Sequence, residues 1–222
     1  MIESSKRLLA VFHKTPKGYC VGDIGCDHGY ISHALLEANR AEKVIATDIS
    51  APSLNKAATL LADTFRGRFE TRLGDGFAPI APGEIDGAIV MGMGGHLIAD
   101  ILSRGRDVVE ALHWCIVQPM QGAEDLFDYL SEGGFHLLNV DLIEERGKFY
   151  PLMKIAAGGA DVVSWRNFLS CDDFLPMAEK EKARLEGVVE AVRESGREDI
   201  IEKAEKDVEK WEAYIEQCRN CR

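Results

Sequence analysis

The 222-residue sequence contains no run approaching the ~18 consecutive apolar residues of a bilayer-spanning helix, which excludes a conventional membrane span. Its N-terminus, MIESSKRLLAVFHKTPKG, has basic residues but only a short, interrupted apolar stretch, so no cleaved signal peptide is expected. A soluble, cytoplasmic protein is the expectation. Internal repeats and low-complexity tracts are also missing. There is no surplus of positive charge: the net charge of -11 argues against indiscriminate binding to nucleic acid, which depends on neutralising phosphates. A local basic patch remains open, from Lys6, Arg7, Lys14 and Lys17 or from Arg66, Arg68 and Arg72, although each reads singly as solvated surface charge. A disulfide framework is absent in spacing, though not in number. Of the six cysteines, Cys20, Cys26, Cys115 and Cys171 are scattered in or near hydrophobic segments and read as buried, reduced thiols. Cys218 and Cys221 have zinc or redox spacing but no second pair, so no metal site is expected.

What is present is a regular alternation of strand and helix. KRLLAVFHKT reads as a leading helix that ends near Pro16, YCVGDIG as a buried strand, and YISHALLEA as a helix with Ile31, Leu35 and Ala38 on one face. KVIATDIS is a second strand. The helix APSLNKAATLLADTF follows, with Ser50 as its cap and Pro52 in its first turn. FETRLGDGF, IDGAIVMGM and HWCIVQPM supply three more strands, the last two separated by helical sequence broken near Gly105. Such spacing implies right-handed crossovers and a parallel sheet covered on both faces. FHLLNVDLIEERGKFY and PLMKIAAG then follow without an intervening helix and read as an antiparallel pair at one edge. The expected fold is therefore α/β, with a mostly parallel seven-stranded sheet ending in a hairpin, as in the Rossmann-like class I methyltransferases.

The texture changes near Asp161, which divides the chain into a catalytic block, 1–160, and a helical block, 161–222. In the second, Leu185, Val188, Val189 and Val192, and then Ile201, Ala204, Val208, Trp211, Ile215 and Cys218, recur at steps of three and four. Two helices, each on the order of 30 Å long for ~20 residues, would form an α-helical coiled-coil hairpin about Ser195-Gly196. Packing, dimerisation and contact with a large substrate all suit such a hairpin. A monomer is favoured, because the two seams can satisfy each other.

The residues with chemistry lie at the strand ends, where open parallel sheets bind ligands. In VGDIGCDHGY, Gly25 permits a tight turn and close ligand approach, and Asp23 can accept from a ligand ammonium. Asp27 takes the place of the second glycine of a dinucleotide loop. A carboxylate there repels pyrophosphate but not a sulfonium, which favours S-adenosylmethionine over a nicotinamide cofactor. Asp48 stands at the end of the second strand, ~20 residues on, where an acidic group grips ribose hydroxyls. Asp75 in GDGF is placed to accept from an adenine amino group, and MGMGG, Met91 to Gly95, leaves backbone free to face ligand and substrate.

SKRL (5–8), DIGCDHGY (23–30), RLGDGF (72–77), MGMGGHLIADIL (91–102), QPM (118–120) and EERGKFYPLM (144–153) together resemble the TrmK-type bacterial tRNA (adenine-N1)-methyltransferases. Departures from the family pattern are Cys26 for Ser, Gly29 for Ala, and no clear Phe-Gly-Pro near residue 168. The resemblance implies methyl transfer from S-adenosylmethionine to N1 of adenine 22 in the D-arm region of tRNA. On that reading Asp27 and His28 face the base as catalytic residues. Asp23, Gly25, Cys26, Asp48, Ile49, Asp75, Gly76, Met91 and Gly92 hold the cofactor, and Arg7, Tyr30, Met93, Gly94 and Gly95 meet the substrate. A small-molecule methyltransferase and an inactive binding protein of the same fold are the rival readings.

Overall fold

The computed structural model describes residues 2–61, 63–195 and 198–220. The chain divides into two compact units, Met1–Ser164 and Trp165–Arg222. In the first, α1 (Lys6–Lys14), β1 (Gly18–Ile24), α2 (Tyr30–Glu37), β2 (Ala41–Asp48), α3 (Ala51–Leu61) and β3 (Phe69–Leu73) make the leading half. There follow β4 (Gly87–Met93), α4 (Gly95–Arg104), α5 (Arg106–Glu110), β5 (Trp114–Pro119), α6 (Ala123–Glu132), β6 (Phe135–Glu145) and β7 (Lys148–Ala157).

The strands form one seven-stranded sheet in the order β3-β2-β1-β4-β5-β7-β6. Strands β1 to β5 pair in parallel, and β7 runs antiparallel to both β5 and β6. This is the mostly parallel class I methyltransferase sheet that the alternation predicts. Central strands are buried on both faces because helices cover both, so every residue of β5 is buried, the polar Gln118 included. Val21, Val44, Ile89, Ile116 and Leu152 from five strands meet Leu35 of α2 in one core. Strand order reverses between β1 and β4, and a cleft opens there beyond the strand ends.

Two local expectations change. Ala38 is not on the buried face of α2 but is its exposed C-cap, and Leu36 is fully buried instead. The third strand ends at Leu73, so GDGF is a loop rather than strand. Gly74 turns the chain there, its amide donating to the Asp48 carbonyl at 3.0 Å.

In the second unit a short 3-10 turn, Trp165–Phe168, precedes α7 (Phe174–Ser195) and α8 (Glu198–Asn220). Ion pairs Glu179–Arg219, Lys182–Glu212 and Glu205–Arg193 run in opposite residue order, so the helices are antiparallel. Leu185 and Val189 of α7 and Ala204, Trp211, Ile215 and Cys218 of α8 are buried. Trp165, Phe174, Trp211 and Tyr214 form an aromatic cluster with ring centroids 5.6–6.4 Å apart. Gly196 and Cys221 lie outside the described residues, and the Cys218 thiol donates to the Leu169 carbonyl.

Candidate functional site

The cleft has a volume of about 550 Å³ and is lined by the ends of β1, β2 and β4, the loop after β3, and parts of α1, α2 and α4. The loop after β1 forms its floor through an unusual backbone. Gly25, Asp27 and Gly29 all adopt left-handed conformations, with φ of 75°, 45° and 72°. For glycine this is free of cost, whereas for Asp27 it stores on the order of 1 kcal/mol of strain. The strain is offset by hydrogen bonds: the Asp27 amide donates to Asp48 Oδ2 at 3.1 Å, and Asp48 Oδ1 accepts from the Ser50 amide at 2.8 Å. The Ser50 hydroxyl in turn caps α3 by accepting from the Ser53 amide. Asp27 thus occupies a glycine's place in conformation as well as in sequence.

Asp27 and His28 stand at the rim as a bonded pair, Asp27 Oδ2 lying 2.6 Å from His28 Nδ1. Lys56 of α3 brings its ammonium within 3.4 Å of His28 Nε2. Those two contacts suit the neutral tautomer with its proton on Nδ1, donating to the carboxylate and accepting from the lysine. Tyr30 stacks on the imidazole, with centroids 5.4 Å apart and planes 8° apart, and both rings remain partly exposed.

Deeper in, Asp23 is 2% exposed and accepts from the Ser32 hydroxyl at 2.5 Å. Burial pushes its carboxyl up to about 6, a rise that the Ser32 hydrogen bond resists and the nearby Asp48 charge reinforces. Burial, with Asp23 and Asp48 adding to it, also pushes the Cys26 thiol up, so Cys26 is held as an inert thiol in the wall. Met93 closes over Gly25, where a Cβ would lie 3.0 Å from its terminal methyl. Gly92 has φ of 80° at a shift in the β4–β5 register, and a Cβ there would meet nothing within 4 Å. The backbone at Gly92 faces open space that a ligand can fill.

At the far end Asp75, Gly76 and Ile49 line the cleft, Ile49 being 75% exposed. Both Asp75 oxygens are gripped by the Arg104 guanidinium, at 2.6 and 3.2 Å. On the opposite wall Arg7 donates from Nε to Glu145 Oε2 at 2.9 Å and from Nη1 to Gln118 Oε1 at 3.2 Å, and lies over the Tyr150 ring. Burial alone would raise the Glu145 carboxyl, but hydrogen bonds from Arg7 and Ser5 outweigh it and hold it below the usual range. QPM and EERGKFYPLM are thereby joined to SKRL in one cluster around Arg7, which spacing in the chain does not disclose.

Fourteen of the sixteen site residues named from the sequence line this one cleft, and two, Gly94 and Gly95, do not. Gly94 stands at the N-cap of α4 in an extended conformation, and a Cβ on Gly95 would lie 1.8 Å from the Gly122 carbonyl, so the smallness of Gly95 serves packing. The basic patch in FRGRFETR is not assembled as such. Arg68 donates to the carbonyls of Leu36, Ala41 and Glu42, and Arg72 is held by Glu70, Glu84 and the Pro79 carbonyl. Leu97 and Ile101 of α4 and Leu8 of α1 also line the cleft without having been singled out, as does Ile31 of α2, read only as a packing residue, because apolar residues at helical spacing look the same in a wall as in a core. Among the described residues no group of three or more metal-binding side chains is found, and no helix is long and apolar enough to cross a membrane.

Residues 4–153 match the model of a methyltransferase domain family. The chain is 32% identical over 161 residues to a Bacillus subtilis tRNA (adenine(22)-N(1))-methyltransferase, an alignment spanning 72% of this chain and 68% of that relative. The chain belongs to the tRNA (adenine(22)-N1)-methyltransferase family. The crystal structure of the B. subtilis m1A22 tRNA methyltransferase TrmK superposes with a TM-score of 0.79 at 26% identity, covering 99% of each chain. A Streptococcus pneumoniae protein solved in complex with S-adenosyl-L-methionine superposes with a TM-score of 0.83 at 25% identity, covering 95% of this chain and 99% of that one.

The cofactor of this methyltransferase is S-adenosylmethionine, and the cleft fits it. The wall carries Asp23, Asp48 and Asp75, which suit a ligand bearing an ammonium, hydroxyls and an amino group and which would repel a pyrophosphate. Gly25, Gly76 and Gly92 leave bare backbone along its lining.

Proposed function

We propose that this enzyme transfers a methyl group from S-adenosylmethionine to N1 of adenine 22 in tRNA, the reaction named for its B. subtilis relative. The observation that carries the reading is the juxtaposition, in one cleft, of the acidic strand ends with the rim pair Asp27–His28. When bound, the cofactor supplies an electrophilic methyl group on a sulfonium.

The chain's own residues bind and align. Asp23 accepts from the ligand's ammonium, Asp48 from its ribose hydroxyls and Asp75 from its adenine amino group. Gly25, Cys26, Ile49, Gly76, Met91 and Gly92 shape the passage. Adenine N1 has a free lone pair, so no side chain need remove a proton before attack, and orientation is the main task. Asp27 accepts from the target's amino group and follows the positive charge that develops on its ring. His28, held between Asp27 and Lys56, keeps that carboxylate in place rather than acting as a base. The partly exposed Tyr30, which lines the same cleft as Met93, offers a surface for a base turned out of its stack, as N1 methylation of a paired base requires. Arg7 is anchored by Glu145, so it serves as a fixed positive charge for the substrate backbone rather than a mobile one. The C-terminal unit serves tRNA contact or packing, and the enzyme acts as a cytoplasmic monomer.

The test is methyl transfer to unmodified transcribed tRNA, followed by nucleoside mass spectrometry. N1-methyladenine that disappears when adenine 22 is replaced is the expected result. Methylation of free adenosine at the same rate would favour the small-molecule reading instead.

A further inference from the structure

The loop that presents Asp75 is fixed against α4 at three successive residues. The Asp75 carboxylate is forked by the Arg104 guanidinium. A Cβ on Gly76, whose φ is 59°, would lie 2.8 Å from the Ile101 side chain. Phe77 packs over Gly105, where a Cβ would lie 2.6 Å from the phenyl ring. Ile101 and Arg104 are three residues apart and share a face of α4. Ile101 lines the cleft, and Arg104 also holds its own helix, Nε donating to the Asp100 carbonyl at 3.3 Å.

A carboxylate has about four acceptor positions, two on each oxygen. A bidentate guanidinium takes one on each oxygen and fixes the plane of the group, leaving a second position on each for another donor. We infer that Arg104 is a positioning residue for cofactor recognition: it sets the plane of the Asp75 carboxylate so that its remaining lone pairs meet the 6-amino group of the adenine. Arg104 therefore contributes to selecting an amino-bearing purine over a 6-oxo purine without touching the ligand. The inference rests on the reading of Asp75 given above.

The experiment measures dissociation constants by titration calorimetry for S-adenosylhomocysteine and for S-inosylhomocysteine, in which oxygen replaces the amino group. The proteins are the intact enzyme, Arg104→Ala, Arg104→Gln, Asp75→Asn, and the double variant Asp75→Asn with Arg104→Ala. Ligand-free melting temperatures accompany each. Arg104→Ala is expected to weaken the adenosyl ligand about three- to fivefold and leave the inosyl ligand unchanged. The double variant is expected to bind no more weakly than Asp75→Asn alone, because the two residues act through one contact. Arg104→Gln, which cannot fork a carboxylate, is expected to match Arg104→Ala. Equal losses for both ligands, or no loss for either, would overturn the positioning role while leaving Asp75 in place, provided Asp75→Asn itself loses discrimination between them. Loss of discrimination by neither Asp75→Asn nor Arg104→Ala would remove the Asp75 reading itself and the inference with it.

Discussion

The two ends of the cleft are built by opposite means. The loop after β1 takes its shape from backbone conformation, with three left-handed residues alternating over Gly25 to Gly29. The loop after β3 takes its shape from packing, pressed against α4 by Ile101, Gly105 and Arg104. The difference is that strain is kept where a charged side chain is needed at a glycine's position, whereas tight packing is used where a residue has only to be held still.

The comparison is sharpened most by Asp27→Gly. Glycine adopts φ of 45° without cost, so the ligand-free melting temperature should hold or rise slightly and the affinity for S-adenosylhomocysteine should stay within about twofold. Methylation of tRNA should fall by about 100-fold or more, because the carboxylate proposed to face the base is gone. Wild-type rates from this variant would remove Asp27 from the mechanism. The opposite pattern is expected of Gly76→Ala, where a Cβ enters 2.8 Å from Ile101 at a positive φ. Thermal unfolding should show a loss of about 2 kcal/mol, with cofactor affinity falling alongside.

A third test uses pH. The Asp23 carboxyl sits at about 6, against its ordinary 3.8, because burial penalises the charged form. Between those values the folded protein holds a proton that the unfolded chain has released. Stability therefore declines as pH rises through that window, and the cost is fully present above about 6. A ligand ammonium favours the ionised form. Affinity for S-adenosylhomocysteine should thus be about tenfold weaker near about pH 5 than near about pH 7, and Asp23→Asn should flatten the profile. The smallest effect is expected from Arg72→Ala, which does not line the cleft. Hydrogen bonding to Arg72 holds Glu84 down to about 2, and the pair tethers residues before and after the Asp75 loop. A loss of about 1 kcal/mol in stability, with unchanged tRNA affinity in filter binding, would separate this arginine from substrate contact.

The legible parts of this molecule were those with local causes. The alternation of strand and helix, the terminal hairpin and the acidic strand ends each follow from periods of two or 3.6 and from turn chemistry within a few residues. The boundary at Leu73 and the exposure of Ala38 were not legible, because pairing and helix capping ended those elements rather than any change in composition.

In the site, DIGCDHGY, Asp48, GDGF and MGM identified turns that line the cleft by themselves, since the sheet's topology obliges strand ends to converge where the order reverses. Partners were decided only in three dimensions. Arg104 meets Asp75 across 29 residues, Arg7 meets Glu145 across 138, and Lys56 meets His28 across 28. Gly94 and Gly95, which share a motif with the cleft-lining Gly92, do not line the cleft, and Gly95 lets α4 approach Gly122. The sequence by itself determined which backbone could bend and which strand ends carry charge, because those depend on neighbours in the chain. The tertiary structure alone decided which charge each arginine or lysine answers, because long side chains are placed by the elements packed around them.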